Sequence, residues 1–324
     1  MSSGSEFDII SRYFKPLAKD EPGALGLSDD GAVLDVPKNK QLVITTDALV
    51  GSVHFLESLS PQDIAHKVVG VNLSDLAAMG AKPRGVFLAA QFPHNIQESW
   101  IADFAKGLSE ALKPSGASLM GGDTVTTPGP MSFTLTAFGL VSHGKALTRG
   151  GASRGDLVYA SGTIGDGALG LLTLNGTLSE NIDLARRYAR PQPRWVLGQA
   201  LAEQRLITAC IDISDGLVAD LGHICEVSNV GAIIETNKIP LSTAAEAFVS
   251  ENAALMETII SGGDDYELAF TVRPEQALKV ESVADQLNQQ VTCIGKITKS
   301  EYGIEVWDRF GKPMKITIAG YQHL

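Results

Sequence analysis

The residues of this 324-residue chain best suited to chemistry are aspartates that recur beside glycines. Asp30, Asp47, Asp75, Asp123, Asp212, Asp215 and Asp264 lie at strand ends, next to glycine turns or inside apolar stretches. Any one of them has an ordinary reading as a turn or cap residue. That reading weakens for Asp75. It sits in Val68–Met79 (VVGVNLSDLAAM), a helix apolar nearly all round, with Asn72 three residues earlier on the same face. A carboxylate buried there is paired with a hidden cation, protonated or bound to metal. If several acids converge, two charges 4 Å apart repel by about 4 kcal/mol at an effective dielectric of about 20, so cations must lie among them. Carboxylates without His or Cys partners select Mg²⁺ or a similar hard ion, which commonly completes its shell with water and substrate phosphates. Glycine turns that free backbone N–H groups suit the same ligands. The chemistry indicated is phosphoryl transfer from a metal-bridged polyphosphate.

Other phosphate signatures are sparse. There is no G-x-x-x-x-G-K-[ST], which removes a P-loop. Gly165-Asp166-Gly167-Ala168-Leu169-Gly170 matches G-x-G-x-x-G. A dinucleotide fold also needs a second strand ending in an acid about 20 residues on. That region, Leu184–Arg194, is charged and helix-like, so the glycines read as a turn with close helix packing. His54, in Ser52-Val53-His54-Phe55, is either a substrate contact or a structural donor. Cys210, Cys225 and Cys293 contain no C-x-x-C pair, which argues against a disulfide framework and against structural zinc.

The elements that must position these residues fall into two halves. Hydrophobic residues are 44% of the chain, enough for sizeable cores, and 33 glycines imply many turns or close backbone approaches. Glu6–Leu17 has the spacing of an amphipathic helix, followed by a flexible loop to Asp29-Asp30-Gly31. Gln41–Asp47 is a β-branched strand; Ser60-Pro61-Gln62-Asp63 starts a helix that runs to Met79 and stops at Gly80. Gly85–Phe92 is a strand, Gln97–Lys113 a helix, Ala117–Met120 a short strand feeding Gly121-Gly122-Asp123, and Ser132–Ser142 a long antiparallel strand. The polar, glycine-rich stretch Thr148–Asp156 marks the boundary, giving domains 1–148 and 149–324. Beyond it, strands at Leu157–Ala160, Thr208–Ile213, Ala232–Glu235, Tyr266–Val272, Val291–Ile297 and Ile304–Trp307 mix with helices at Ala185–Gln204, Leu217–Glu226 and Gln276–Leu287. The class is α+β.

With 26 basic against 37 acidic residues, the net charge is −11, which disfavours nucleic acid or an anionic membrane surface as a partner. No apolar run approaches a membrane span, and Met1–Asp8 shows no basic region followed by an apolar one, so a cytoplasmic protein is expected.

Seven motifs follow in order: Ser28-Asp29-Asp30-Gly31-Ala32, Thr45-Thr46-Asp47, Val71–Gly80 (VNLSDLAAMG), Gly121-Gly122-Asp123-Thr124, Leu147–Ala152 (LTRGGA), Asp212–Leu217 (DISDGL) and Ser261–Leu268 (SGGDDYEL). Together they resemble the thiamine-monophosphate kinases, within the aminoimidazole-ribotide-synthetase-like ATP-binding superfamily. The likeness spans nearly the whole chain, from Phe7 to Gly320-Tyr321-Gln322-His323. NLSDLAAMGA and SGG-x-DYEL together are specific to the family, whereas either alone marks only the superfamily.

The resemblance implies direct, in-line transfer of the γ-phosphoryl of ATP to thiamine monophosphate, assisted by several Mg²⁺ ions. It implies an N-terminal mixed sheet with helices that binds ATP and metal and pairs into a homodimer, a C-terminal α/β sandwich-like domain, and an active site in the cleft between domains. Asp30, Thr45, Thr46, Asp47, Asp75, Asp123, Asp212 and Asp215 would supply metal ligands, with Asp30, Asp47, Asp75 and Asp212 central to catalysis. Gly122, Asp123, Arg149 and Ser214 would meet ATP, and His54, Asp264 and Tyr321 the thiamine moiety. The N-terminal helix and the loop to Gly31 would form a lid excluding water. Two positions depart from the family: Asp264 stands where Glu is frequent, shortening that reach, and Ser28 where Gly is common. The alternatives are another enzyme of the superfamily or a non-catalytic nucleotide-binding regulator. A selenide enzyme would want a reactive Cys near the N-terminus, and the first here is Cys210.

Overall fold

The computed structural model describes residues 6–317 and 320–321, omitting the side chains of Glu6 and Phe7. Gln322 and His323 of the C-terminal motif lie outside the described residues. The chain divides into two compact units, one of Met1–Leu76 with Lys82–His143 and one of Ala77–Ala81 with Gly144–Leu324.

In the first unit, β1 (Lys40–Val50), β2 (Lys82–Pro93), β3 (Ser118–Thr127) and β4 (Ser132–Ser142) form one sheet in the order β1-β4-β2-β3. β4 is antiparallel to both its neighbours, while β2 and β3 are parallel. Alternation puts Phe133, Leu135 and Ala137 of β4 on the buried face with Val86 and Leu88 of β2. Against that face pack α2 (Pro61–Ala78) and α3 (Glu98–Leu112), through Ile64, Val68, Ile101, Phe104 and Leu108. α2 starts where its cap residues dictate. Ser60 Oγ accepts from the Asp63 N–H at 3.1 Å and donates to Asp63 Oδ2 at 2.7 Å, an Asp version of the capping box.

Two expectations change here. The N-terminal segment is not one regular helix: α1 (Glu6–Ile9) gives way to tight irregular turns over Ile10–Phe14 and Lys15–Ala18. Pro16 lacks an N–H to continue a helix. The segment is nevertheless well anchored, with Phe14, Ala18 and Ala24 buried, the last two against Met120 and Phe138. Arg84 Nη1 lies 2.5 Å from Glu21 Oε2, and Tyr13 donates to Glu98 at 2.7 Å. β3, in turn, does not end at Met120. It continues through Gly121-Gly122-Asp123 to Thr127, paired with Leu88, Ala89 and their successors on β2.

The second unit is a seven-stranded mixed sheet. Its strands are β5 (Leu157–Ser161), β6 (Ala209–Asp212), β7 (Val230–Glu235), β8 (Leu268–Val272), β9 (Val291–Lys299), β10 (Ile304–Trp307) and β11 (Pro313–Met314), in the order β11-β10-β7-β9-β5-β8-β6. Both faces are covered. Val158, Ala160, Ile211 and Ala269 pack towards α4 (Asp166–Leu174), α5 (Ile182–Ala189), α7 (Leu217–Ser228), α8 (Thr243–Glu251) and α9 (Leu255–Ser261). Tyr159, Cys210, Leu268 and Phe270, which alternate with them, pack towards α6 (Trp195–Gln204), α10 (Ala277–Gln286) and Ala77 and Ala78 at the end of α2. α8 and α9 have no counterpart in the sequence reading.

Candidate active site

Residues 67–78 of α2 are buried with one exception, Asp75, which is half-buried. The exception sits beside β1, where Thr45 donates its hydroxyl to Asp75 Oδ2. Thr45 and Asp47 share the face of β1 turned inward with Val43 and Leu49, because successive strand residues alternate. Thr46 therefore presents its side chain on the other face, hydrogen-bonded to the Leu135 carbonyl at 3.3 Å and to Thr136 Oγ1 at 3.1 Å. Asn72 is fully buried and donates to the Val68 carbonyl at 3.1 Å, while its Oδ1 has no partner among the described residues.

A cleft of about 760 Å³ in the first unit is lined by Asp29, Asp30, Gly31, Gly121, Gly122 and Asp123, with Phe14 and Lys15 of the N-terminal segment. Asp30 and Asp123 are exposed there, and Asp123 Oδ1 accepts from the Thr124 N–H at 2.9 Å. Gly122 is required by its backbone: φ is 155°, and a Cβ would collide with the Leu88 carbonyl across the parallel pair. The anchored N-terminal turns wall this cleft, and Ser28–Gly31, which also line it, are exposed. His54 lies in the turn after β1, with its Nδ1 accepting from the Val50 N–H at 3.0 Å, which assigns the neutral ring's proton to Nε2.

In the second unit, Asp212 ends β6 and is buried, and the loop Ser214-Asp215-Gly216 leads into α7. Its three consecutive N–H groups form an anion-binding nest, and the anion is internal. Asp220 Oδ2 accepts from Ser214, Asp215 and Gly216 at 3.0, 3.0 and 3.1 Å. Burial and the nearby charge of Asp215 push the Asp220 carboxyl up to about 7, against the three bonds that favour its charged form. The G-x-G-x-x-G turn is filled in the same way. Asp265 accepts from the N–H groups of Gly165 at 2.7 Å and Gly167 at 3.0 Å, and burial pushes its carboxyl up to about 8. That motif therefore holds a protein carboxylate where a dinucleotide phosphate would sit.

The Asp264 N–H donates to the Ser214 carbonyl at 2.9 Å, tying the SGGDDYEL loop to the β6–α7 loop. Tyr321 is tied to the same loop, its N–H donating to the Asp215 carbonyl at 3.0 Å, and Asp215 and Tyr321 line a second cleft of about 770 Å³ with His223, Glu226 and Met314. Asp264 is not among that cleft's lining residues. Arg149 is exposed, on a stretch that runs along the open edge of β6. There Thr148 accepts from the Cys210 N–H at 2.9 Å and Ser228 Oγ donates to the Arg149 carbonyl at 3.3 Å.

Among the described residues, no three His, Cys, Asp or Glu side chains are gathered closely enough to hold a metal ion by themselves. The donors in these loops are carboxylates and hydroxyls, as in the Thr45–Asp75 pair. That set fits a hard cation that takes the rest of its shell from water and phosphate, and does not fit zinc. The sequence reading did not single out Asp220, Asp265, Glu267, Arg187 or Arg194. An acid in the first turn of a helix was the one signal available for Asp220.

Residues 28–141 match the N-terminal domain, and residues 153–308 the C-terminal domain, of the family described as AIR synthase related protein. The chain is 43% identical to thiamine-monophosphate kinase of Haemophilus influenzae, over 98% of this chain and 97% of that protein. The crystal structure of thiamine-monophosphate kinase from Stenotrophomonas maltophilia matches with a TM-score of 0.84 at 38% identity, covering 93% of this chain and 96% of that one. A solved structure described as AaThiL complexed with AMPPCP and TMP matches with a TM-score of 0.78 at 29% identity, covering 98% and 97%. With near-complete coverage in sequence and fold, and with the aspartate motifs in place, this chain belongs to the thiamine-monophosphate kinase family of AIR synthase related enzymes.

Proposed function

We propose that the protein transfers the γ-phosphoryl group of ATP to the phosphate of thiamine monophosphate, giving ADP and thiamine diphosphate in one in-line step. The observation that carries this reading is Asp75, the half-buried carboxylate in the otherwise buried stretch of α2, oriented by the Thr45 hydroxyl. The names of the relatives, and the AMPPCP and TMP held by a structural neighbour, support the choice of substrates.

In the transfer, an oxygen of the acceptor phosphate forms a bond to the γ-phosphorus as the bond to the β–γ bridging oxygen breaks, and ADP leaves with that electron pair. The acceptor is already an anionic phosphate, so the step asks little of a general base. The enzyme's task is positioning and charge neutralisation. Mg²⁺, when bound, neutralises the phosphates and acts as a template. Asp30, Thr45, Asp47, Asp75 and Asp123 would be its ligands in the first unit, and Asp212 and Asp215 those in the second, while the Thr46 side chain, on the other face of β1, is turned away from Thr45 and Asp75. Asp30, Asp47, Asp75 and Asp212 are the catalytic carboxylates of this reading. Gly122, Asp123, Arg149 and Ser214 meet the nucleotide, while His54, Asp264 and Tyr321 meet the thiamine moiety. Thr45 keeps the Asp75 carboxylate in one orientation, and Gly122 lets backbone approach where a side chain could not.

We further propose a homodimer. Edge strand β1 presents Leu42, 38% exposed, and Ile44, 62% exposed, beside Thr46 on its outer face, an apolar edge that soluble proteins normally cover. Free Cys210, Cys225 and Cys293 accord with a reducing cytoplasm, and among the described residues no helix is long and apolar enough to cross a membrane.

Asp75→Asn tests the assignment. It keeps the side-chain shape and an acceptor for Thr45 but removes the charge, so turnover should fall by at least about 100-fold with the far-UV circular dichroism unchanged. Turnover near the parent value would remove Asp75 from the machinery.

A further inference from the structure

We propose that Asp265, together with Glu267 and Arg187, positions the acceptor-recognition loop Gly263–Tyr266. This rests on the thiamine monophosphate reading above. Asp264 and Tyr266 are non-glycine residues in the left-handed region, at φ 73° and 51°. Such conformations persist only where the surroundings impose them, and they gather at functional sites. Half-buried Asp264 and Tyr266 alternate with two acids that point into the protein, Asp265 and Glu267, 1% and 0% exposed.

Each buried acid is held from several directions. Asp265 is bound by the N–H groups of Gly165 and Gly167 at 2.7 and 3.0 Å, where α4 begins. Glu267 accepts from Ser161 Oγ at 2.5 Å, Arg187 Nη2 at 2.9 Å, and Arg194 Nε and Nη2 at 2.7 and 2.5 Å. Arg187 Nη2 also donates to the Asp265 carbonyl at 3.2 Å, so one guanidinium holds the backbone before Tyr266 and the Glu267 carboxylate after it. Asp264 then has its N–H on the Ser214 carbonyl at 2.9 Å and its Oδ1 under the Tyr266 hydroxyl at 3.3 Å. Buried ion pairs add little to stability over apolar residues of equal volume, whereas they can hold one geometry against others. Here the geometry held is that of the Asp264 carboxylate, whose negative charge suits the cationic ring of the acceptor.

Steady-state kinetics of the full chain, with each substrate varied in turn, tests this. Asp265→Asn preserves volume but sets an amide NH₂ against one of two backbone N–H groups. Ser161→Ala removes one bond to Glu267 and the acceptor of the Leu268 N–H. Misplacement of a recognition group predicts that KM for thiamine monophosphate rises about tenfold in Asp265→Asn and about threefold in Ser161→Ala, with KM for ATP within about twofold of the parent. Unmoved acceptor KM values, or equal rises for ATP and acceptor, would overturn the positioning role, even with a lowered melting temperature. Should Asp265→Asn not fold, Ser161→Ala decides by the same criterion. A parent enzyme without thiamine monophosphate turnover would instead overturn the underlying reading.

Discussion

Glu267→Gln isolates a single buried carboxylate whose surroundings set the size of the effect. Glu267 is fully buried and faces two guanidinium groups, Arg187 at 2.9 Å and Arg194 at 2.5 Å, which are themselves largely buried. The amide keeps one accepting oxygen but turns an NH₂ towards an arginine and leaves two buried cations short of a counter-charge. Asp166, 4.0 Å from Arg187 Nε, compensates only in part. Removing one member of a buried pair costs about 3–5 kcal/mol. For a unit of this size each kcal/mol lowers the melting temperature by about 2–4 °C, so the transition of the second unit should fall by roughly 6–20 °C. Scanning calorimetry at neutral pH, with circular dichroism as a second probe, reads the shift. A fall of less than about 2 °C would refute the reasoning, because it would place the pair in an environment as forgiving as the surface.

Two further outcomes are expected. The Asp265 carboxyl is raised to about 8 from an unfolded value near 3.9, so between those pH values the folded chain binds more protons than the unfolded one and stability declines as pH rises. The urea midpoint of the parent relative to Asp265→Asn should therefore drop between pH 5 and pH 8.5, and a rise would contradict the burial argument. Analytical ultracentrifugation should give a dimer for the parent and a monomer for Ile44→Asp, since a charge on the exposed face of β1 opposes edge association; an unchanged dimer would place the interface elsewhere.

The boundaries of α2 and β4 were legible because their signals are local. Ser60 and Asp63 cap the helix, and the alternation of Ser132–Ser142 needs one buried face only. Gly121-Gly122-Asp123 carried every mark of a turn, yet it lies inside β3. The glycines serve close approach to Leu88 on a parallel neighbour, a partner more than thirty residues away. The same separation hid the second unit's supports. Asp264 was read as the working acid of its motif, while Asp265 and Glu267 beside it bind Gly165, Gly167, Ser161, Arg187 and Arg194, 73 to 106 residues off in sequence. Short helices such as α8 and α9 have too few turns for periodicity to stand out. The aspartate motifs carried the chemical reading because an acid inside an apolar helix, as at Asp75, is unusual in itself.

The central claim is tested most directly by incubating the enzyme with ATP, Mg²⁺ and thiamine monophosphate and quantifying ADP and thiamine diphosphate together. Equal amounts of the two products, absent when Mg²⁺ is chelated, are the predicted result. ADP without thiamine diphosphate, or turnover of unphosphorylated thiamine and none of the monophosphate, would contradict it.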